Sequence, residues 1–255
     1  QNCGNVPYFP KQTEGATDIE ILEAFLGGFY TNHIPPKEIV LSQEVDNKEF
    51  LEEAIGAKIN TYQKGNKAQI MKVVKANAEA SIERRIAEQA TVKNNLDEFV
   101  RVFGLKKIPQ RIEIYDNSHN QGSFAIGAMV VATPEGFDKK SYRQFNIKDQ
   151  AITQDDFAMM KEVLLRRFAR MSPENKPDVI LLDGGLGQLH AVHEALRDFD
   201  LSDIAIIAIS KGPDRNAGKE FYHQVGKESF MLPFQSPIAF YLQNLRDEAH
   251  RFAIG

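Results

Sequence analysis

The sequence predicts an α/β protein: a mixed five-stranded sheet flanked by helices, preceded by a smaller α/β subdomain and a long linking helix. Three patterns predict this architecture. The first 95 residues mix helical and strand-like apolar spacing. Residues 67–103 are polar, have helical periodicity and contain neither proline nor glycine. After Pro109, three successive strand-like segments are followed by helices and strands in alternation. We therefore divide the chain into a subdomain at residues 1–95 and a larger domain at residues 96–255.

The N-terminal subdomain is predicted to contain two helices and two short strands. The first helix, residues 18–30, has one apolar stripe and ends before Pro35-Pro36. Strands are expected at residues 38–41 and 58–62, with the second helix at residues 50–55 between them. The apolar stripe consists of Ile21, Leu22, Phe25, Leu26 and Phe29.

The larger domain is predicted to follow the order β-β-β-α-β-α-β, then a small hairpin and a final helix. The five strands are expected at residues 111–115, 123–132, 142–147, 178–182 and 204–209, and the hairpin at residues 221–224 and 229–232. The first helix between strands opens at Thr153 and presents Phe157, Met160, Leu164 and Phe168 at helical spacing. This order is that of the RNase H-like fold, in which the first and fourth strands lie side by side.

Composition excludes several classes of protein. The 255 residues are 42% hydrophobic and 26% charged, which is ordinary for a globular domain. The longest aliphatic runs, residues 179–182 and 204–209, fall far short of the ~20 apolar residues that a membrane helix needs. The N-terminus has no secretory signal pattern, and the single Cys3 excludes an internal disulfide and a cysteine-based zinc site. We expect a cytoplasmic protein without a membrane partner, and the missing initiator Met indicates a fragment of a longer chain.

The charges are unevenly distributed around a net charge of −4. Residues 14–53 contain ten acids and two lysines, whereas residues 58–85 contain seven bases and two acids. The basic segment has the charge to neutralise phosphates, but it is equally typical of a solvated helix face. Both interpretations stay open from the sequence.

Two aspartates follow predicted strands that should be neighbours. Asp116 comes directly after the first strand, and Asp183 follows the fourth strand in PDVILLDGG. Carboxylates brought together at one edge of a sheet repel each other, and a divalent cation with a preference for oxygen ligands relieves that repulsion. The pair therefore favours a Mg²⁺ or Mn²⁺ site. The alternative is that each aspartate caps a turn.

Further candidates lie on the helices and at the fifth strand. His250 is at the edge of the last helix's apolar stripe, with Arg246 one turn earlier. One interpretation is that His250 faces the carboxylates as a metal ligand or proton-transfer group, and the alternative is a partly exposed helix histidine. Asp155 and Asp156 begin a helix, where acids are expected on dipole grounds alone. Lys211, after the fifth strand, is either a phosphate contact or a surface lysine.

Several motifs resemble the UvrC family, the nuclease subunit of bacterial nucleotide excision repair. They are collinear and run from one end of the chain to the other. VILLDGGLGQL at residues 179–189 and RDEAHRFAIG at residues 246–255 are the most specific. The others are YFPK (8–11), EAFLGGFY (23–30), IYDNSH (114–119), YRQFNI (142–147), DDFAMM (155–160) and ISKG (209–212).

The resemblance implies an RNase H-like DNA endonuclease that makes the incision 5′ to a lesion with Mg²⁺ or Mn²⁺. Its catalytic residues would be Asp116, Asp183 and His250, with Asp156 also implicated, and the metal ligands would be Asp116 and Asp183. The implied partners are damaged double-stranded DNA and UvrB, which binds a segment outside this sequence. The candidate DNA contacts are Arg143, Lys211 and Arg246.

The chain departs from the family pattern at Asn117, where the family usually has Ile, and at Leu186, where it usually has Lys. The second change removes a possible phosphate contact from the GGLGQ loop. Three alternatives stay open: a catalytically silent RNase H-like module that only binds DNA or a protein, a transposase- or resolvase-type nuclease, and a nucleotide-binding α/β protein. The histidine in RDEAH argues against the transposase type, and the lack of a phosphate loop argues against nucleotide binding.

Overall fold

The computed structural model describes residues 4–10, 13, 15–120, 124–147, 155–212, 220–233 and 236–255. The chain forms two compact units, Gln1–Ala87 and Glu88–Gly255. The domain assignment from the sequence, a subdomain at residues 1–95 and a larger domain at residues 96–255, stays a prediction. No helix formed by the described residues combines the length and the apolar character that crossing a bilayer requires.

The first unit forms the predicted elements around a small core. They are α1 (Asp18–Tyr30), β1 (Glu38–Leu41), α2 (Lys48–Ile55) and β2 (Lys58–Thr61). A capping box between Thr17 and Glu20 starts α1, and Gly56 ends α2 in the left-handed region, with φ of 77°. Strands β1 and β2 pair in parallel. The core consists of Leu26, Ile39, Leu41, Val45, Leu51, Ala57 and Ile59.

The long linking helix is α3 (Asn66–Phe103), as the sequence predicts. Its last turns bury Leu96, Phe99 and Phe103 in the core of the second unit. The seven bases of residues 58–85 are all exposed. Lys58 and Lys67 pair with acids of the first unit, which supports a solvated face for part of this segment.

The second unit is built on an eight-stranded mixed sheet. Its strands are β3 (Ile112–Asn120), β4 (Phe124–Thr133), β5 (Gly136–Phe137), β6 (Arg143–Asn146), β7 (Val179–Asp183), β8 (Ala205–Ser210), β9 (Phe221–Gln224) and β10 (Phe230–Met231). The spatial order is β10-β9-β8-β7-β3-β4-β5, and β6 also pairs with β4. Strand β7 is parallel to both β3 and β8, and the remaining pairs are antiparallel. The five predicted strands and the RNase H-like adjacency of the first and fourth are confirmed, and the predicted hairpin extends the same sheet.

Helices cover both faces of this sheet. Helices α4 (Asp156–Phe168) and α5 (Leu186–Ala195) pack on one face, and α6 (Pro237–Ile254) packs with the end of α3 on the other. Phe157, predicted to belong to the apolar stripe of α4, is 49% exposed. It lies in the first turn beside Gly187 of α5, where a Cβ would approach its ring to 3.1 Å. The predicted start at Thr153 lies outside the described residues.

A buried ion cluster joins α4 to β3. Glu113 is fully buried and accepts hydrogen bonds from Arg167 (2.7 Å), Arg111 (2.8 Å) and the Tyr115 hydroxyl (2.6 Å). Arg167 also donates to the backbone oxygen of Asn175. Because a buried carboxylate needs compensating donors, this cluster fixes the position of α4 against the central strand.

Candidate active site

The two predicted aspartates lie on adjacent parallel strands. Tyr115 of β3 is opposite Leu182 of β7, so Asp116 and Asp183 follow at the next position of each strand. The sequence analysis places Asp116 directly after the first strand, which is wrong. Strand β3 continues to Asn120, and beyond Tyr115 it pairs with β4 alone. Asp116 lies where β7 stops, which leaves its carboxylate at the edge of the parallel sheet.

A cleft of about 560 Å³ opens at this edge. It is lined by side chains from β3, β7, β8, α4 and α5. The lining residues are Asp116, Asn117, Asp156, Asp183, Gly184, Gln188, Ile209, Ser210 and Lys211. The fold thus brings three predicted acids and one predicted base to one place.

Asp116 is 7% exposed, and its surroundings disfavour the ionised form of its carboxyl group. Burial raises the pKa of its carboxyl group, and the neighbouring charge of Asp183 raises it further. His250 opposes this shift, because its Nδ1 lies 2.9 Å from Asp116 Oδ2. The side chain of His250 is 62% exposed, so this histidine connects the buried carboxylate to solvent. The predicted orientation of His250 toward the carboxylates is what the structure shows.

Asp183 is paired with the predicted DNA contact Arg246. Arg246 Nη2 and Nε lie 2.8 Å and 3.1 Å from Asp183 Oδ1. A second carboxylate, Glu220, lies 3.7 Å from Nη1. The arginine side chain is only 9% exposed, so the described structure places it against protein carboxylates.

The start of α4 supplies the third acid of the cleft. Asp155 is the N-cap, and its side chain accepts hydrogen bonds from the backbone N–H groups of Phe157 and Ala158. Asp156 is exposed and lines the cleft. The Asn117 side-chain Nδ2 donates to the Asp156 backbone oxygen at 3.2 Å, which ties the helix start to β3.

The two other predicted DNA contacts differ in position. Lys211 follows β8, is exposed and lines the cleft. Arg143 lies on the outer strand β6, donates to the backbone oxygens of Lys140 and Tyr142, and is not among the lining residues. The roles of both residues stay predictions.

The structure also reveals polar groups that the sequence analysis missed. Asn117 Oδ1 and Gln188 Oε1 are buried without a hydrogen-bond partner among the described residues. Ser210, at the cleft, contacts His223 Nε2 at 2.8 Å, and His223 Nδ1 contacts Ser229 Oγ at 2.5 Å. Burial lowers the pKa of His223. Gln188 belongs to the GGLGQ motif, which was the available signal; nothing in the local pattern around His223 distinguished it.

The donor set fits a hard divalent cation that keeps part of its hydration shell. Within the described residues no three His, Cys, Asp or Glu side chains cluster as a complete metal site. Two adjacent carboxylates, Asp116 and Asp183, nevertheless line one cleft together with the exposed Asp156. Mg²⁺ and Mn²⁺ favour such oxygen ligands, and Mg²⁺ is commonly held by one or two carboxylates together with water and phosphate.

Comparison with known proteins gives strong matches over the whole chain. A family model described as "UvrC RNAse H endonuclease domain" matches residues 100–254, and one described as "UvrC Ribonuclease H-like domain" matches residues 1–85. UvrABC system protein C of Cereibacter sphaeroides is 47% identical over 269 residues, covering 100% of this chain and 43% of the relative. The protein of the same name from Zymomonas mobilis is 46% identical, covering 100% of this chain and 40% of the relative.

Solved structures give only a weak likeness. The catalytic domain of human endonuclease V matches with a TM-score of 0.32 and 17% identity, over 52% of this chain and 59% of that chain. Endonuclease V of Ciona intestinalis bound to DNA matches with a TM-score of 0.30 and 17% identity, over 42% and 48%. These values carry no argument about the site. The chain spans about two fifths of the length of its curated relatives, and its match to the endonuclease-domain model shows that it belongs to the UvrC family.

Proposed function

We propose that this chain is the part of a nucleotide excision repair nuclease that cuts DNA 5′ to a lesion by metal-dependent phosphodiester hydrolysis. The observation that carries the proposal is the convergence of Asp116, Asp156 and Asp183 on one cleft, with His250 hydrogen-bonded to Asp116. Family membership supports the choice of DNA as substrate. The cleavage products would be a 3′-hydroxyl and a 5′-phosphate.

Asp116 and Asp183 would hold Mg²⁺ or Mn²⁺ between adjacent strands. The cation, when bound, supplies polarisation of the scissile phosphate and lowers the pKa of an attacking water molecule. The buried Asp116 gains most from it, because the positive charge offsets both the desolvation of its carboxylate and the repulsion by Asp183.

The other residues position groups and move protons. His250 is fixed at Nδ1 by Asp116 while much of its ring remains exposed, an arrangement that lets imidazole exchange protons with water or with the leaving oxygen. Arg246 holds Asp183 in place through a hydrogen bond from Nε and an ion-pair contact of Nη2 at 2.8 Å. Lys211, exposed at the cleft, is placed to attract a DNA phosphate.

The proposed partners follow from the same family. The substrate would be damaged double-stranded DNA, acted on in the bacterial cytoplasm. UvrB would bind a segment of the longer protein outside this sequence.

The test combines metal binding with DNA nicking. We expect Mn²⁺ to bind the wild-type chain in calorimetry and the binding to be lost in Asp116→Asn and Asp183→Asn. Nicking of damaged duplex DNA should fall by more than about 100-fold in both variants, since a ligand loss should exceed the usual effect of changing a neighbour of a ligand. Asp198→Asn is the matched control, because Asp198 is 88% exposed and paired only loosely with Arg197 at 3.8 Å.

The alternative is an RNase H-like module that binds DNA or a protein without cutting. Wild-type protein that binds no Mn²⁺, alone or with duplex DNA present, would favour that module. Nicking that persists unchanged in Asp116→Asn and Asp183→Asn would refute the assignment of the site.

A further inference from the structure

Two large apolar side chains are exposed beside the acidic cleft, at the starts of α4 and α5. Phe157 is 49% exposed and Leu186 is 42% exposed. Phe157 follows Asp156 in the chain, and Leu186 comes two residues before Gln188, and both of those neighbours line the cleft. We call Phe157 and Leu186 the apolar rim. Exposed apolar side chains that are grouped beside a polar site, unlike those scattered singly, mark a binding surface.

The ring of Phe157 is held in a defined place. Its backbone N–H donates to the side chain of the N-cap Asp155 at 2.9 Å, which fixes the first turn of α4. The far end of the ring lies over Gly187, where a Cβ would come within 3.1 Å of Cε1 and 3.2 Å of Cζ. A side chain at position 187 would therefore displace the ring. An aromatic ring that rests on a helix and is half exposed loses little freedom when a flat group stacks on it.

The charges around the rim decide which part of DNA fits it. Asp116, Asp156 and Asp183 line the cleft and repel a phosphate unless a cation lies between them. A phosphate held there through the cation places the next nucleotide of the strand about 3.4 Å further along. Phe157 is likewise one residue from Asp156, and consecutive Cα atoms are about 3.8 Å apart. The uncharged rim has nothing to attract a second phosphate, so the group that fits it is a nucleobase.

Only a base outside the regular stack can lie on Phe157. In an intact duplex both faces of a base are covered by its neighbours. An unpaired and unstacked base offers a free face, and every base has such a face whatever the sequence. Taking a base out of the stack costs least where the pairing is already disturbed. The rim therefore favours DNA that is locally distorted at the cleft.

We propose that Phe157, with Leu186 on the neighbouring helix, stacks on an unpaired base next to the scissile phosphate. The inference rests on the proposed function, because the base reaches the rim from a phosphate that the cation holds at the aspartates. It deepens that function by naming the substrate class: DNA that is locally unpaired at the cut, independent of its base sequence. Phe157 is then a residue that contacts the substrate without taking part in the hydrolysis.

The experiment measures binding of this chain to two DNA duplexes, one fully paired and one with a mismatched bubble that contains 2-aminopurine. Ca²⁺ replaces Mn²⁺ so that the strands stay intact. Phe157→Ala should weaken binding to the bubble by about 5- to 100-fold, the range expected for stacking on one base, and change binding to the paired duplex by less than about twofold. Stacking quenches 2-aminopurine, so its fluorescence should be higher in the Phe157→Ala complex than in the wild-type complex.

Three further variants separate stacking from a simple apolar contact. Phe157→Trp keeps a stacking surface and should retain both the affinity for the bubble and the quenching. Phe157→Leu keeps apolar volume but has no flat face, so it should behave as Phe157→Ala does. Phe240→Ala makes the same truncation near the start of α6, at a residue that is 56% exposed and is not among the described residues lining the cleft. It should bind both duplexes as the wild type does. Circular dichroism checks that each variant is folded.

The outcomes separate this inference from the proposed function. Wild-type protein that nicks DNA with Mn²⁺, while Phe157→Ala binds the bubble as tightly, would overturn the inference and leave the proposed function standing. An equal loss of affinity for both duplexes, or quenching that persists in Phe157→Leu, would replace stacking by a groove or apolar contact and would also overturn it. Wild-type protein that neither binds nor nicks either duplex would refute the proposed function and the inference with it.

Discussion

Arg246 is held between two carboxylates, and removing its charge tests the electrostatics of the cleft. Its guanidinium contacts Asp183 at 2.8 Å and lies 3.7 Å from Glu220, and its side chain is 9% exposed. We expect Arg246→Met, which keeps much of the aliphatic stem, to destabilise the protein by leaving Asp183 beside Asp116 without a compensating charge. A DNA contact, as the sequence predicts for Arg246, would instead change affinity for DNA with little effect on stability.

The magnitude follows from the distances and the exposure. Two unit charges 4 Å apart attract by about 4 kcal/mol at an effective dielectric constant of 20. The side chain of Asp183 is 24% exposed, so water screens part of this attraction. We therefore expect a loss of about 3 kcal/mol in the free energy of unfolding, at the lower end of the range for breaking a buried pair. For a unit of this size such a loss lowers the melting temperature by about 6–12 °C.

The assay is a double-mutant cycle in urea without divalent cations. Arg246→Met, Asp183→Asn and the double variant are compared with the wild type, with Arg246→Lys as the charge-conserving control. We expect that adding Asp183→Asn to Arg246→Met restores about 2 kcal/mol of the free energy of unfolding lost in Arg246→Met, since contacting residues commonly couple by 0.5–3 kcal/mol. A loss below about 1 kcal/mol, together with weaker DNA binding, would refute the reasoning and support a substrate contact.

Three other substitutions test the site and the core. Asp116→Asn should stabilise the cation-free protein by on the order of 1 kcal/mol at pH 7, while removing Mn²⁺ binding. The pKa of Asp116 is raised in the folded state, so its carboxyl group favours folding below its ordinary pKa of 3.8, and this contribution is lost as pH rises through the pKa of the folded state. Asp116→Asn should therefore increase the free energy of unfolding, measured in urea, by less at pH 4 than at pH 7. Glu113→Gln should cost about 3–5 kcal/mol in thermal unfolding, since it leaves Arg167 buried without its carboxylate. Leu181→Ala, at a fully buried position of β7, should cost about 2–5 kcal/mol without changing the Mn²⁺ affinity of the folded protein.

The sequence predicts the strands well where the apolar pattern is long. Aliphatic runs identify β7 and β8, and their order along the chain yields the adjacency of β3 and β7. The two-residue strand β5 is too short for any period to be read. The predicted first strand ends at residue 115, yet β3 continues through the polar residues 117–120, because pairing with β4 outweighs their weak strand propensity.

The sequence predicts which residues lie together at the site, but not which of them are buried or paired there. Strand ends and helix spacing place Asp116, Asp183 and His250 together, and the family resemblance adds Asp156. The burial of Arg246 could not be predicted, because it depends on Glu220, which follows the fifth strand and reaches the helix only in the folded chain. Spacing along α6 defines a face but not the charges that other elements bring to it.

The departures from the sequence pattern concentrate around the cleft. The β3 extension carries Asn117 there, and the exposed Phe157 lies against Gly187, next to Gln188. A buried aspartate with a raised pKa and two unpaired amide oxygens are each unfavourable for the fold alone. Local rules of propensity and burial fail where a fold accepts such costs for a bound group. A cation bound beside Asp116 and Asp183 would relieve the first of these costs, because its charge offsets both the burial of the Asp116 carboxylate and the repulsion by Asp183.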